Sequence, residues 1–179
     1  MAESTSNKKR SDRSIRSPGI REGQVKASVY VITAIAAGAF TVSAMAGEAT
    51  APSQVMVNDA FAVEKSLTGT PGDVAAGRDW FANRKLGNCL ACHQNADQAS
   101  EPFHGEVGPT LNGAGDRWEP AQLRAIIANP KKIFGDQTIM PAFYSDRTGA
   151  RTDKKFAGKT ILSAQQVEDI VAYVSTLRE

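Results

Sequence analysis

Five residues near the middle of the chain, Cys89-Leu90-Ala91-Cys92-His93, hold both of its cysteines and one of its two histidines. C-x-x-C-H is the spacing at which haem is attached covalently to a polypeptide. One helical turn sets the two thiols under the two vinyl groups, and the adjacent imidazole then points at the iron. Three other uses of the pair are open at this point: a thioredoxin-like redox couple, a structural disulfide, or half of a zinc site. The redox couple expects a βαβ setting that the pattern of this chain lacks. A zinc site needs further ligands, and His104 alone remains. A covalent haem c is therefore expected, with Cys89 and Cys92 as the attachment points and His93 on the iron.

Iron bound in this way needs a second axial ligand or keeps an open position. Met140, His104 and Met56 are the candidates in the region after residue 46. Met140-Pro141 lies 47 residues beyond His93, in a loop long enough to fold over the distal face. His104 is only 11 residues from His93, a short path round a macrocycle, and is expected at the surface. Met56 falls in a segment expected to be mobile. Met/His ligation suits an electron carrier, so Met140 is the expected ligand, although methionine more often fills gaps in cores. Gly108-Pro109-Thr110-Leu111 follows the attachment motif, and the Pro109 carbonyl can accept the ring N–H of His93 and fix its tautomer. An ordinary turn is the other reading of that segment. Arg117, Trp118 and Arg124 are candidates for the haem propionates, and each reads equally well as a surface or packing residue.

Helical periodicity gives three elements. The first starts near Pro71-Gly72-Asp73, places Val74, Gly77 and Phe81 on one face, and is expected to end at Gly87. The second starts near Glu119-Pro120, with Leu123, Ile126 and Ile127 as its stripe, and stops at Asn129-Pro130. The third has Ser163 as N-cap, Gln166 completing a capping box, and Leu162 stapling onto Val167. Its apolar positions continue through Ile170, Val171 and Val174 to Leu177. No alternating run long enough for a sheet is present. Loops 94–118 and 130–161 join the helices. So much irregular chain in a small domain is expected where something other than side chains fills the centre.

The N-terminal region reads differently. Residues 1–26 are polar and basic, and Ala27–Ala46 carries no charge. With Ala44-Met45-Ala46 as the cleavage site, 1–46 reads as a secretory signal peptide removed before Gly47. A retained membrane anchor is the competing reading. No Arg-Arg pair is present, which favours the general secretory route. Residues 47–70 are read as an extended N-terminal arm and 71–179 as the folded domain. Residues 1–46 carry seven Lys/Arg and three acids, while the rest carries 14 and 16. The region expected to fold is therefore slightly acidic, which removes support for a nucleic-acid partner. Within it, Arg147, Arg151, Lys154, Lys155 and Lys159 stand against Asp153, a local basic bias able to steer an acidic partner, although a solvated loop is the commoner explanation of such a run.

Gly77-x-x-x-Phe81 ahead of the attachment motif and Ile170-x-x-Tyr173 near the C-terminus resemble the class I c-type cytochromes. Ser66-Leu67-Thr68-Gly69, Pro71-Gly72-Asp73, Arg84–His93, Gly108–Leu111, Ile139-Met140-Pro141-Ala142-Phe143-Tyr144 and the helix from Leu162 to Leu177 resemble, more narrowly, the SoxX family. Its members are the small cytochrome subunits of the SoxAX complex of bacterial thiosulfate oxidation. The resemblance spans about residues 60–179. It implies an all-α class I cytochrome c fold, wrapped round one covalent haem, with crossing N- and C-terminal helices. It also implies a periplasmic heterodimer with a SoxA-like dihaem or monohaem cytochrome, with no membrane association after signal cleavage. That complex is the L-cysteine S-thiosulfotransferase, which joins thiosulfate oxidatively to a cysteine of the SoxYZ carrier. The sulfur chemistry is attributed to SoxA, and the SoxX subunit passes electrons to a downstream cytochrome.

The chain offers no catalytic group of its own. Thioether formation consumes both cysteines, and no Ser-His-acid or paired-carboxylate arrangement stands out. The alternatives are a free-standing cytochrome c of a respiratory or photosynthetic chain, and a sensor or peroxidase with an open iron position. Met140 argues against an open position, and the SoxX-like blocks argue against the free shuttle.

Overall fold

A computed structural model of the protein describes residues 48–147, 149 and 151–179. The expected signal peptide and its cleavage site lie outside the described residues. Five α-helices form among them: α1 (Val74–Ala82), α2 (Ala114–Arg117), α3 (Pro120–Ala128), α4 (Lys131–Phe134) and α5 (Ala164–Val174). Single 3-10 turns occur at Pro52–Gln54, Cys89–Ala91, Ala96–Gln98 and Lys154–Phe156, and no strand occurs among the described residues.

Each long helix starts where its side chains satisfy the first free N–H groups. Asp73 caps α1 by accepting from the Ala76 N–H at 2.8 Å. In α3 the Gln122 side chain accepts the Glu119 N–H at 3.1 Å, with Pro120 at the first position. In α5 Ser163 and Gln166 exchange bonds of 3.2 and 2.8 Å, a complete capping box.

The ends differ from expectation. Helix α1 stops at Ala82 rather than near Gly87. The cause is Asn83: its side chain accepts the Lys85 N–H at 2.9 Å, and its carbonyl takes those of Leu86 and Asn88. This local turn outcompetes the helix ladder. The expected loop 130–161 contains α4, which begins directly after Pro130, and the expected loop 94–118 contains α2. Helix α5 ends at Val174, but two further turn bonds carry Leu177 back onto the core.

Helices α1 and α5 cross in close contact. A Cβ on Gly77 would lie 1.9 Å from the Asp169 carbonyl oxygen, and one on Gly72 would lie 2.1 Å from that of Glu168. Only glycine lets the two backbones approach so closely. One turn further on, the Phe81 and Tyr173 rings meet edge to face, with centroids 5.5 Å apart. The crossing helices implied by the resemblance are therefore built by Gly77, Phe81 and Tyr173, each read from the sequence.

The segment read as an extended arm is extended, but it is packed against the domain rather than free. Val55, Val63 and Leu67 are buried in the main core. Each contributes on the order of 1.5–3 kcal/mol by burial. Thr50 bonds to Leu67 through its N–H and accepts from the Tyr144 hydroxyl, each at 2.7 Å. The Val63 N–H donates to Ala121 at 2.9 Å. The segment is a strap over α3 and α5. Its apolar residues lack helical or strand spacing because an irregular chain lays them down, so periodicity could not find them.

The strap is held by a buried ion pair. Arg124 and Glu168 meet in two bonds of 2.8 and 2.9 Å, with side chains 11% and 5% exposed. Glu168 also accepts the Leu67 N–H at 2.7 Å, and Arg124 donates to the Val63 carbonyl at 2.8 Å. Each charged group thus makes a further bond beyond the pair, which offsets part of their desolvation.

Candidate haem site

The attachment motif forms a single turn. Asn88, in the left-handed region at φ 48°, starts it, and Ala91 N–H returns to the Asn88 carbonyl. The N–H groups of Cys92 and His93 both reach the Cys89 carbonyl, at 3.1 and 3.0 Å. Cys89 and Cys92 are both half-buried and are not joined in a disulfide. Among the described residues no group of three or more His, Cys, Asp or Glu is placed to hold a metal ion, so the half-zinc reading finds no partners.

His93 is fixed from the next segment. Its Nδ1 lies 2.7 Å from the Pro109 carbonyl oxygen. A carbonyl only accepts, so Nδ1 carries the proton and Nε2 keeps its lone pair. Among the described residues Nε2 has no hydrogen-bond partner. An imidazole so held is a ligand nitrogen with its tautomer and plane set. Gly108 lies against the ring: a Cβ there would be 2.3 Å from His93 Cε1.

Backbone bonds lace the two segments together, Gly105 to Leu90, Gly108 to Cys92 and Leu111 to Gln94, at 2.8 to 2.9 Å. Gly105 makes this pairing possible, because its Cβ would fall 2.0 Å from the Ala91 carbonyl oxygen. Cys89, Cys92, His93 and Pro109 therefore belong to one hydrogen-bonded unit. Two thiols on one turn, beside an imidazole with a free Nε2, fit a covalently attached haem whose iron takes a nitrogen ligand.

Met140 is half-buried and packs against the core. The Tyr144 N–H, four residues on, bonds to the Ala128 carbonyl at 3.0 Å and ties the segment to the end of α3. Met56 is 79% exposed.

His104 is not the surface residue expected. It accepts the Asn95 N–H at Nδ1 and meets the Gln98 carbonyl through Nε2, at 3.3 and 3.1 Å. With both nitrogens used, it latches the loop after His93.

Two of the propionate candidates have other partners. Arg124 is committed to Glu168 and the strap. Arg117 donates to the Asn112 and Thr110 carbonyls at 2.6 and 2.9 Å, bracing the loop that carries Pro109. Trp118 is half-buried at the edge of the core.

Sequence reasoning missed a hydrogen-bonded network behind the motif, buried at Asn95 and Tyr173 and exposed at Asp97 and Arg78. Asn95, 1% exposed, donates to the Tyr173 hydroxyl at 2.8 Å. That hydroxyl donates to Asp97 at 2.7 Å, and Arg78 closes on Asp97 at 3.1 Å. The loop following His93 is thereby pinned to α1 and α5. The Tyr173 hydroxyl and Arg78 hold the Asp97 carboxyl below the usual carboxylate range. Burial, then the Asp97 bond, raises the Tyr173 phenol above its ordinary value. Asn95, lying two residues after the motif, was the available signal.

The cytochrome c family model matches residues 74–178. Comparison with the curated proteins found no match. Among solved structures the chain is similar to one described as the crystal structure of SoxXA from P. pantotrophus. The identity is 45% and the TM-score 0.67, covering 74% of this chain and 100% of that one. Among the described residues no helix is long and apolar enough to cross a membrane. With an all-helical domain, a C-x-x-C-H turn and a carbonyl-held imidazole already in place, the chain belongs to the cytochrome c family, as an electron-transfer cytochrome of the SoxX type carrying one covalent haem c.

Proposed function

We propose that this chain is the electron-accepting subunit of a periplasmic SoxAX-type complex. In this reading residues 1–46 are an export signal, and the mature protein pairs with a SoxA-like cytochrome. Joining thiosulfate to a cysteine of a SoxYZ-like carrier replaces the thiol S–H bond with one sulfur–sulfur bond and releases a proton and two electrons, which a single haem takes up and passes on one at a time. The partner carries out that bond formation, since this chain keeps no free thiol once its haem is attached. The 45% identity to a chain of SoxXA, over the whole length of that chain, carries the proposal.

Cys89 and Cys92 would hold a haem through thioethers, and His93 Nε2 and the Met140 sulfur would bind its iron. So bound, haem c supplies a one-electron couple, and Met/His ligation raises its potential. Pro109 keeps the Nδ1 proton in place, Gly108 leaves room for the ring, and Arg117 braces the loop that carries them.

Coexpression with a SoxA-like cytochrome, export, and light scattering of the purified material test the reading. A stable one-to-one complex with both chains loaded with haem supports it. A haem-loaded monomer beside an equally loaded partner supports the free shuttle instead.

A further inference from the structure

A cleft of about 620 Å³ lies between the strap, the end of α3 and the segment after Met140. None of Cys89, Cys92 or His93 lines it. Its apolar lining includes Val55 from the strap and Ala125 and Ala128 from α3. Lys131, Lys132, Arg147 and Lys159 also line it, against Asp136 and Asp146. The cleft is therefore cationic on a region, 47–179, whose net charge is −2.

The four cations are not equivalent. Lys131 donates to the Thr138 carbonyl and Lys132 to the Val55 carbonyl, so both are tied to the backbone. Among the described residues the charged heads of Arg147 and Lys159 have no ion-pair or hydrogen-bond partner. Lys155, further along the same basic stretch, is paired with Asp153 at 3.6 Å. Two unpaired cations beside an apolar lining suit a chain segment that brings carboxylates and an apolar anchor together.

We infer that this cleft is a docking groove for an acidic segment of the partner cytochrome. Small anions would leave most of the volume and its apolar lining unused. The strap that forms one wall precedes the part matched by the cytochrome c family model, which begins at residue 74. The SoxXA match covers 74% of the chain and so extends beyond the 105 residues of that model. The inference rests on the heterodimer reading and adds where the partner sits.

Carbodiimide coupling of the haem-loaded heterodimer tests it, because that reagent joins lysine amines directly to carboxylates. Lys159 or Lys132 should couple to Asp or Glu of the partner. Replacing Arg147→Glu and Lys159→Glu together should weaken the complex roughly tenfold at low salt, an effect that shrinks as salt rises, with an unchanged haem spectrum. A heterodimer whose couplings avoid both lysines, with an affinity within about twofold of wild type, overturns the groove and leaves the heterodimer standing. Couplings between two copies of this chain also overturn it. A haem-loaded monomer that never couples to the partner overturns both readings.

Discussion

The Pro109 carbonyl oxygen lies 2.7 Å from His93 Nδ1, and Gly108, one residue earlier, is in contact with the same ring. The contact orients the imidazole, and the glycine gives it room. Gly108→Ala places a methyl 2.3 Å from Cε1 and must displace the ring. The haem-loaded fraction should fall, and any loaded protein should show weakened low-spin character, read by the pyridine haemochrome yield and the Soret band. Wild-type yield and spectrum would mean that the ring is not held as described.

Met140→Ala removes the proposed thioether ligand. The reduction potential should fall, and a coordination position should open to added imidazole. Potentiometry and ligand titration measure both. Retention of the sulfur-to-iron charge-transfer band would assign the distal position to another residue.

Breaking the Arg124–Glu168 pair tests the strap. Glu168→Gln leaves Arg124 short of its countercharge and should cost about 3–5 kcal/mol, measured by urea unfolding. Replacing both by leucine should recover only part of that loss. The Leu67 N–H and the Val63 carbonyl would still lack the partners that Glu168 and Arg124 give them.

Asp97 gives an acid-side prediction. Its folded pKa is lowered, first by the Tyr173 hydroxyl and then by Arg78. A lowered carboxyl contributes stability above its unfolded value of about 4, and that contribution is lost as pH falls through the lower folded value. Asp97→Asn should destabilise the protein at pH 7 and have less effect near pH 3. Unfolding midpoints at the two pH values check this. An equal loss at both would remove the charge from the explanation.

The parts that could be read from the sequence were those with short-range causes. Ser163 and Gln166 announce their helix because a capping box is local, and Gly77 with Phe81 announces the crossing because both lie on one helical face. The attachment motif is local too. Pro109 was reachable as a neighbour of the motif whose carbonyl is free to accept. The strap was misread because Val55, Val63 and Leu67 reach the core from an irregular chain. The role of Arg124 stayed open between the propionates and packing because its partner, Glu168, is 44 residues away. His104 was misread for a similar reason: a loop closure, visible only when folded, uses both its nitrogens.

The central claim is that this chain takes up electrons released by a partner's sulfur chemistry. It is tested most directly by following the α-band absorbance of the purified complex on adding thiosulfate. With the SoxA-like partner and a SoxYZ-like carrier both present, the haem of this chain should become reduced, and omission of either protein should abolish the change. Reduction that proceeds equally without partner and carrier, or none when all components are present, would contradict the account.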